Sequence, residues 1–229
     1  GPAVQDLDML GRMTLCNMAA ELGGQVGMIE PDESTAEYIV QSGGDPGDWQ
    51  SVRGDVDAEY LAEHRFDAAA LAPQVAAPHS PANAAAIDAV ESPRLDQCYI
   101  GACTGAKLDD LHMAARVLAG RRVSARLRLL VAPASTRTTA AAAADGTLAA
   151  LTEAGAILLP SGCGACAGFG AGQLAEGEIC LSSTARNFKG RMGAGTSQVY
   201  LASPYTVAAS AVKGHISDPR ELLAEGAGG

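Results

Sequence analysis

The stretch "DQCYIGAC", residues 96–103, begins the part of the chain whose pattern decides the fold. It predicts a buried strand, and it is followed by a helix-like segment, "KLDDLHMAARVLAG" (107–120), and by a second strand, "RLRLLVAP" (126–133). Strands that alternate with helices over short connections are typical of a parallel sheet covered on both faces. The sequence therefore predicts the α/β class, with three-layer α/β/α units and mainly parallel sheets.

The same alternation continues to the end of the chain. We predict an alanine-rich helical stretch interrupted near Asp145 and a final helix with Ser203 as its N-cap and Pro204 at its first position. The pattern also predicts three further strands: 156–160, 178–183 and 197–203. Upstream of this region, the pattern predicts helices over 12–22 and from Ser34, then, within 57–75, a short helix followed by a strand near 66–71. The proline-containing segment 79–94 is predicted to link a partial α/β unit, 1–78, to an α/β/α domain, 95–229.

Composition limits the classes of function. The chain has 229 residues and a formal net charge of −10, which argues against nucleic acid or an anionic membrane as its main partner. No apolar run reaches the roughly 18 to 20 residues that cross a bilayer, and no signal segment opens the chain, so we expect a cytoplasmic protein. Its six cysteines are too scattered for the disulfide framework of a small secreted domain.

Three loops that follow predicted strands carry unusual residues: "GACTGAK" (101–107), "SGCGACAG" (161–168) and "SSTARNFKGR" (182–191). Ligands of open α/β sheets sit where such loops converge. Taken alone, the pair Cys163 and Cys166 fits a zinc half-site, a redox dithiol or one side of an iron–sulfur cluster. With Cys103, three thiolates suit a cubane cluster that leaves one iron open to a substrate. The remaining cysteines, Cys16, Cys98 and Cys180, are predicted to fill the core.

Four motifs carry a resemblance: "RMTLCNMAAELGGQVGMIEPDEST", "IGACTGAKLDDL", "GCGACAG" and "STARNFKGR". In order and spacing they resemble the aconitase superfamily, in particular the second half of the large subunits of the 3-isopropylmalate dehydratase type. The resemblance implies a hydro-lyase of the kind that takes part in leucine biosynthesis. Such an enzyme acts on 2-hydroxy di- or tricarboxylic acids and has a [4Fe–4S] cluster as its cofactor. It implies the following roles: Cys103, Cys163 and Cys166 as cluster ligands, Asn17 and Glu21 as catalytic residues, and Arg186, Arg191, Lys107 and Ser135 as substrate-binding residues.

The chain also departs from that family. Where the family motif reads "SCTNGR", this chain has Ala102, Gly105, Ala106 and Lys107, and Ala185 replaces the first Asn of "NRNF". These changes remove hydrogen-bonding groups and predict a different or smaller substrate. The family's front portion and its "GSSR" loop are absent from this sequence. The expected partners are therefore a small swivelling-domain subunit and a separate or missing N-terminal half, besides a hydroxy-polycarboxylate substrate.

Two alternatives stay open at this point. The chain could be a non-catalytic scaffold or binding protein that keeps the fold, since Ala185 and the absent acid–base residues weaken a catalytic role. It could also be a zinc or redox module built on the CxxC pair. Two interpretations of Lys107 and Lys189 stay open: each could attract an anionic substrate or could be an ordinary surface charge. Glu21 would ordinarily be a solvated helix residue.

Overall fold

The computed structural model describes residues 1–226, which divide into two compact units, Gly1–Leu71 and a second unit from Ala72 onward. The predicted boundary segment, 79–94, lies inside the second unit, where it contributes one strand of the sheet. Within the part of the chain described, no helix combines the length and the apolar character that a membrane crossing demands.

The first unit is built from short helices. They are α1 (Pro2–Gln5), α2 (Met9–Met18) and α3 (Glu33–Gln41), with 3-10 helices at Ala19–Leu22, Trp49–Ser51 and Ala68–Ala70. The helix predicted over 12–22 is confirmed as α2 and its 3-10 extension, which ends at Gly23 in the left-handed conformation. The helix predicted from Ser34 is confirmed as α3, with Asp32 as its N-cap.

The helix and strand predicted within 57–75 are wrong. Residues 57–71 are exposed throughout and hold only the 3-10 turn Ala68–Ala70, and the first strand begins at Gln74. A strand needs a neighbouring strand and a face to bury, and residue type alone supplies neither.

An ion pair between a buried arginine and a partly exposed aspartate joins α2 to the start of α3. Arg12 is 3% exposed, and its two Nη groups each donate to one oxygen of the Asp32 carboxylate at 2.8 Å. These hydrogen bonds lower the pKa of Asp32 to about 2. Among the described residues 1–71, Arg12 alone is classed as buried, while many large apolar side chains are exposed: Leu22, Val26, Met28, Val56, Tyr60, Leu61, Phe66 and Leu71. This unit therefore has an ionic centre in place of an apolar core.

The second unit contains a seven-stranded sheet in the order β2-β1-β7-β6-β3-β4-β5. The strands are β1 (Gln74–Ala76), β2 (Ala84–Ala86), β3 (Gln97–Gly101), β4 (Arg128–Ala132), β5 (Ile157–Leu158), β6 (Ile179–Ser182) and β7 (Gln198–Ala202). The five strands from β7 to β5 pair in parallel, and β1 and β2 add an antiparallel edge. The predicted α/β class and mainly parallel sheet are confirmed.

Helices pack on one face of this sheet. They are α4 (Ala102–Gly105), α5 (Leu108–Leu118), α6 (Thr136–Ala144), α7 (Thr147–Glu153), α8 (Pro204–Lys213) and α9 (Pro219–Gly226). Ile100, Val131 and Leu181 point to the helical side, where they join Leu111 and Val207 in one core. The predicted interruption of the alanine-rich helix is confirmed at Asp145–Gly146, and α8 has the predicted N-cap and proline.

The opposite face of the sheet is covered differently from the α/β/α prediction. There Tyr99, Leu130 and Val199 pack against Cys166, in the segment between β5 and β6, and against Met192, in the segment between β6 and β7. Both segments contain glycines with positive φ, which an α-helix does not accommodate. The segment that carries two of the motif cysteines is thus itself part of the second layer of the core.

Candidate functional site

Three cysteines lie on the segments that follow two parallel strands of the sheet, β3 and β5. Cys103 is exposed on α4, immediately after β3. Cys163 is exposed at the N-cap of the 3-10 helix Gly164–Ala167, and Cys166, within that helix, is 8% exposed. Because β3, β4 and β5 run parallel, their carboxyl ends meet at one edge of the sheet, and the loops after β3 and β5 converge there.

Burial and neighbouring charged groups, among them the other two motif cysteines, shift the pKa of Cys166. Burial raises the pKa of Cys166, Arg191 lowers it, and the charges of Cys163 and Cys103 each raise it. Within the described residues, no group of three or more Cys, His, Asp or Glu side chains converges on a single metal ion.

The backbone around these cysteines adopts conformations that few residues tolerate. Gly162 and Gly168 have φ of 132° and 78°, so the CxxC loop requires glycine at both positions. Ala102, which precedes Cys103, has φ of 65° although it carries a side chain. Left-handed non-glycine residues are strained and concentrate at functional sites.

The third loop contacts the CxxC loop through Arg191. Its Nε donates to the backbone oxygen of Cys166 at 2.8 Å. Arg186 lies half-buried on the same loop and takes part in an interaction of its own. The structure thus brings Arg191 into contact with the loop of Cys166, one of the three predicted cysteine ligands.

Lys107 and Ser135 have local structural roles at the ends of helices. Lys107 is 8% exposed, and its Nζ donates to the Asp110 carboxylate and to the backbone oxygen of Thr104, both at 2.8 Å. It is therefore neither a surface charge nor an exposed cation. The Oγ of Ser135 is exposed and accepts from the backbone N–H of Thr138 at 3.1 Å, so it caps α6.

We predict that Lys107→Met lowers the stability of the second unit by about 3 kcal/mol, because it leaves the Asp110 carboxylate buried and uncompensated. Lys189→Met is the matched control, since Lys189 is exposed on the third loop, and we expect it to change stability by less than about 0.5 kcal/mol. Denaturant unfolding of the full chain measures both. Equal stabilities for the two variants would show that the buried ion pair is not what Lys107 provides.

Asn17 and Glu21 belong to the first unit, unlike the other predicted site residues. Asn17 lies on α2, and its Oδ1 is buried without a hydrogen-bond partner among the described residues. Glu21 is partly exposed in the 3-10 helix Ala19–Leu22. A buried amide oxygen without a partner is costly and marks a position where a further group is expected.

Sequence reasoning missed two residues that contact the cysteine loops. The Tyr99 hydroxyl donates to the backbone oxygen of Cys163 at 3.3 Å, and burial raises the pKa of Tyr99 to about 12, so this donor keeps its proton. Ser183 Oγ accepts from the Gly101 N–H at 3.2 Å and donates to the Gly105 oxygen at 2.8 Å. Both residues look like ordinary strand positions in the sequence, and no spacing signals them.

The remaining cysteines follow the prediction in part. Cys98 and Cys180 are fully buried, and burial raises the pKa of Cys180 to about 12, which keeps it an inert thiol. Cys16 is only half-buried, so the prediction that it fills the core is wrong in the first unit, which has no apolar core.

The chain has a mainly parallel α/β domain, with three cysteines and an arginine on loops at one edge of its sheet. It therefore belongs to the class of α/β proteins that have a cysteine site for a substrate or cofactor. Comparison with protein families matches residues 1–214 to the Aconitase family (aconitate hydratase). Because this match spans most of the chain, the chain belongs to the aconitase family.

Individual relatives agree with this assignment. The chain is 45% identical over 223 residues to the "3-isopropylmalate dehydratase large subunit 2" of Archaeoglobus fulgidus, covering 97% of this chain and 53% of the relative. It is 47% identical over 223 residues to the "3-isopropylmalate dehydratase large subunit 1" of Methanopyrus kandleri, and the match covers 97% of this chain and 53% of the relative. It is 46% identical over 222 residues to the "Probable methanogen homoaconitase large subunit" of Methanosarcina mazei, and the match covers 97% of this chain and 56% of the relative. The chain thus spans about half the length of these relatives.

Proposed function

We propose that this chain is the cluster-bearing part of a hydro-lyase large subunit that acts on a 2-hydroxy di- or tricarboxylic acid of the isopropylmalate type. The family and the names of the relatives support the reaction class. The observation that carries the proposal is the placement of Cys103, Cys163 and Cys166 on the loops that follow the parallel strands β3 and β5, with Arg191 bound to the backbone oxygen of Cys166.

The donor set fits a [4Fe–4S] cluster. Three soft thiols, two exposed and one buried, lie on loops that follow parallel strands of one sheet, and soft thiolates are the ligands that iron–sulfur clusters take. Cys103, Cys163 and Cys166 would hold it. When bound, such a cluster supplies a Lewis acid for the hydroxyl and one carboxylate of the substrate.

The residues of this chain would bind and orient the substrate around that group. The Nε of Arg191 is occupied by the Cys166 backbone, and its Nη groups supply the forked donors that a carboxylate prefers. Arg186, on the same loop, is the second carboxylate-binding residue in this proposal. Asn17 would use its unpartnered Oδ1 as an acceptor in the active site, and Glu21 would act there as the carboxylate that holds or moves a proton.

We further propose that this part works with other polypeptide: the remaining half of the large subunit and a small swivelling-domain subunit. The relatives are named large subunits, and this chain spans about half of them. The first unit supports the proposal, since its large apolar side chains, such as Leu22, Met28 and Leu61, are exposed. Apolar surface on this scale usually marks a site of protein contact.

A scaffold that keeps the fold without the reaction is the second candidate. Two observations favour it: Ala185, which replaces the family's Asn, is 4% exposed, and Lys107 is tied up in its ion pair. Neither position offers a polar group to a substrate.

Anaerobic reconstitution with iron and sulfide tests the leading proposal. We expect visible cluster absorption, and we expect the exposed thiols of Cys103 and Cys163 to become protected from alkylation on loading. Addition of the other half and a small subunit should then give turnover of an isopropylmalate-type acid. Loading without turnover in the complete assembly would favour the scaffold, and binding of zinc but not of iron and sulfide would contradict the cluster.

A further inference from the structure

Each backbone segment that carries a motif cysteine is tied to a neighbouring element by a side chain. The Cys166 segment is tied by Arg191, as described above. The turn that contains Cys103 is tied at both ends by one hydroxyl, because Ser183 Oγ accepts from Gly101 and donates to Gly105. Ser183 follows β6, so this contact joins the Cys103 turn to the adjacent strand of the sheet.

The Cys163 segment is tied by Tyr99. This side chain is fully buried in the core on the loop-covered face of the sheet, and its hydroxyl reaches the Cys163 backbone oxygen at 3.3 Å. Its ring also occupies the space beside Gly101, where a Cβ would overlap it. A rigid core side chain on β3 therefore fixes the entrance of the CxxC loop as well as the start of the Cys103 turn.

We propose that Tyr99 and Ser183 are positioning residues, which hold the backbone of Cys163 and of the Cys103 turn so that the thiols are arranged before a cluster is inserted. This inference rests on the proposed function, because it assigns the arranged thiols to the cluster. Neither residue is a ligand. Both act through backbone atoms next to a ligand, as residues around metal sites commonly orient the groups that bind the metal.

Two conservative substitutions remove these contacts while keeping the packing. Tyr99→Phe deletes the hydroxyl and leaves the ring, and Ser183→Ala deletes one Oγ. Their controls are Tyr200→Phe, a buried tyrosine whose side chain joins the helical side of the core, and Ser210→Ala, whose Oγ accepts from Ser217 at a distance from the cysteine loops. Both controls lie in the same unit.

Hydrogen exchange of the cluster-free chain is the first measurement. Cys166, Gly168 and Phe169 donate their backbone N–H groups within the CxxC loop, so their exchange reports its order. We expect Tyr99→Phe to speed exchange at these amides about five- to tenfold, and Ser183→Ala to do the same at Gly101. The controls should leave these amides unchanged. Exchange rates in Tyr99→Phe equal to those in Tyr200→Phe would overturn the assignment for Tyr99, and the Ser210→Ala comparison decides Ser183 in the same way.

Cluster retention is the second measurement. After reconstitution, we expect a chelator to remove iron from Tyr99→Phe and Ser183→Ala about five- to tenfold faster than from the controls. Faster exchange without faster iron loss would overturn the proposal, because the two residues would then order the loops without serving the cluster. If the unsubstituted chain fails to take up iron and sulfide, the proposed function fails, and the exchange data still decide whether these side chains hold the loops.

Discussion

We expect Cys166→Ala to lower the uptake of iron and sulfide by the chain at least about 100-fold. Cys166 is the buried member of the three thiols, and the other two act electrostatically on it, so its loss leaves two exposed thiols from different loops. Losing a residue that merely orients a ligand typically costs 10- to 100-fold in metal affinity, so loss of the ligand itself should lower affinity by at least about 100-fold. Iron and sulfide analysis after anaerobic reconstitution, with the visible absorption spectrum, measures the effect.

Cys98→Ala is the control for this experiment. Cys98 is fully buried on β3, but its side chain lies in the core on the helical side of the sheet, away from the CxxC loop. Its removal deletes a buried thiol without touching the site, so loading should match that of the unsubstituted chain. Normal loading of Cys166→Ala, or equal loss in both variants, would contradict the assignment of Cys166 as a ligand.

The second unit was predictable because its pattern is local. Buried runs such as 97–101 and 128–132 alternate with amphipathic helices, and glycines or capping residues such as Ser203 mark the boundaries. The first unit was not predictable to the same degree beyond its helices. Its centre is an ion pair between Arg12 and Asp32, twenty positions apart, and no periodicity signals such a pair.

The layer on the second face of the sheet also escaped prediction. The rule that parallel sheets are covered by helices holds for the side of α5 and α8, whereas the loop that carries Cys166 covers the other side. The sequence of that loop predicts only a segment that carries ligands. Its glycines with positive φ, such as Gly162 and Gly168, let it both pack and present thiols, a combination that residue type alone does not reveal.

The candidate site divides in the same way. The cysteines could be predicted because they are rare residues at the ends of strands, and Arg191 because of its motif. Tyr99 and Ser183 could not, since each contributes one hydroxyl that reaches a backbone atom far away in sequence. Lys107 shows a further limit: its motif position predicts a substrate contact, and the bond of its Nζ to Asp110 carries no signal in the sequence.

Gly105→Ala destabilises the second unit by about 3 kcal/mol or more and prevents cluster loading. Gly105 is buried at the end of α4, two residues after Cys103, and a Cβ built there overlaps the backbone oxygen of Ser183. The backbone oxygen of Ser183 directly follows β6 and cannot move aside as a flexible side chain can. The overlap must therefore displace the turn that contains Cys103. Thermal unfolding and iron analysis of the reconstituted variant measure the two effects.

Gly195→Ala is the matched control, because Gly195 does not have a positive φ and a Cβ there meets no atom within 4 Å. We expect it to load normally and to unfold at the temperature of the unsubstituted chain. The comparison also tests why this chain departs from the family motif, which has Asn where Gly105 stands. If the departure is enforced by space, Gly105→Asn must be at least as damaging as Gly105→Ala. If Gly105→Asn instead folds and takes up the cluster like Gly195→Ala, the Ser183 backbone can shift to make room for a side chain. Packing would then not require glycine at position 105, and the departure from the family motif would reflect a change in substrate contacts.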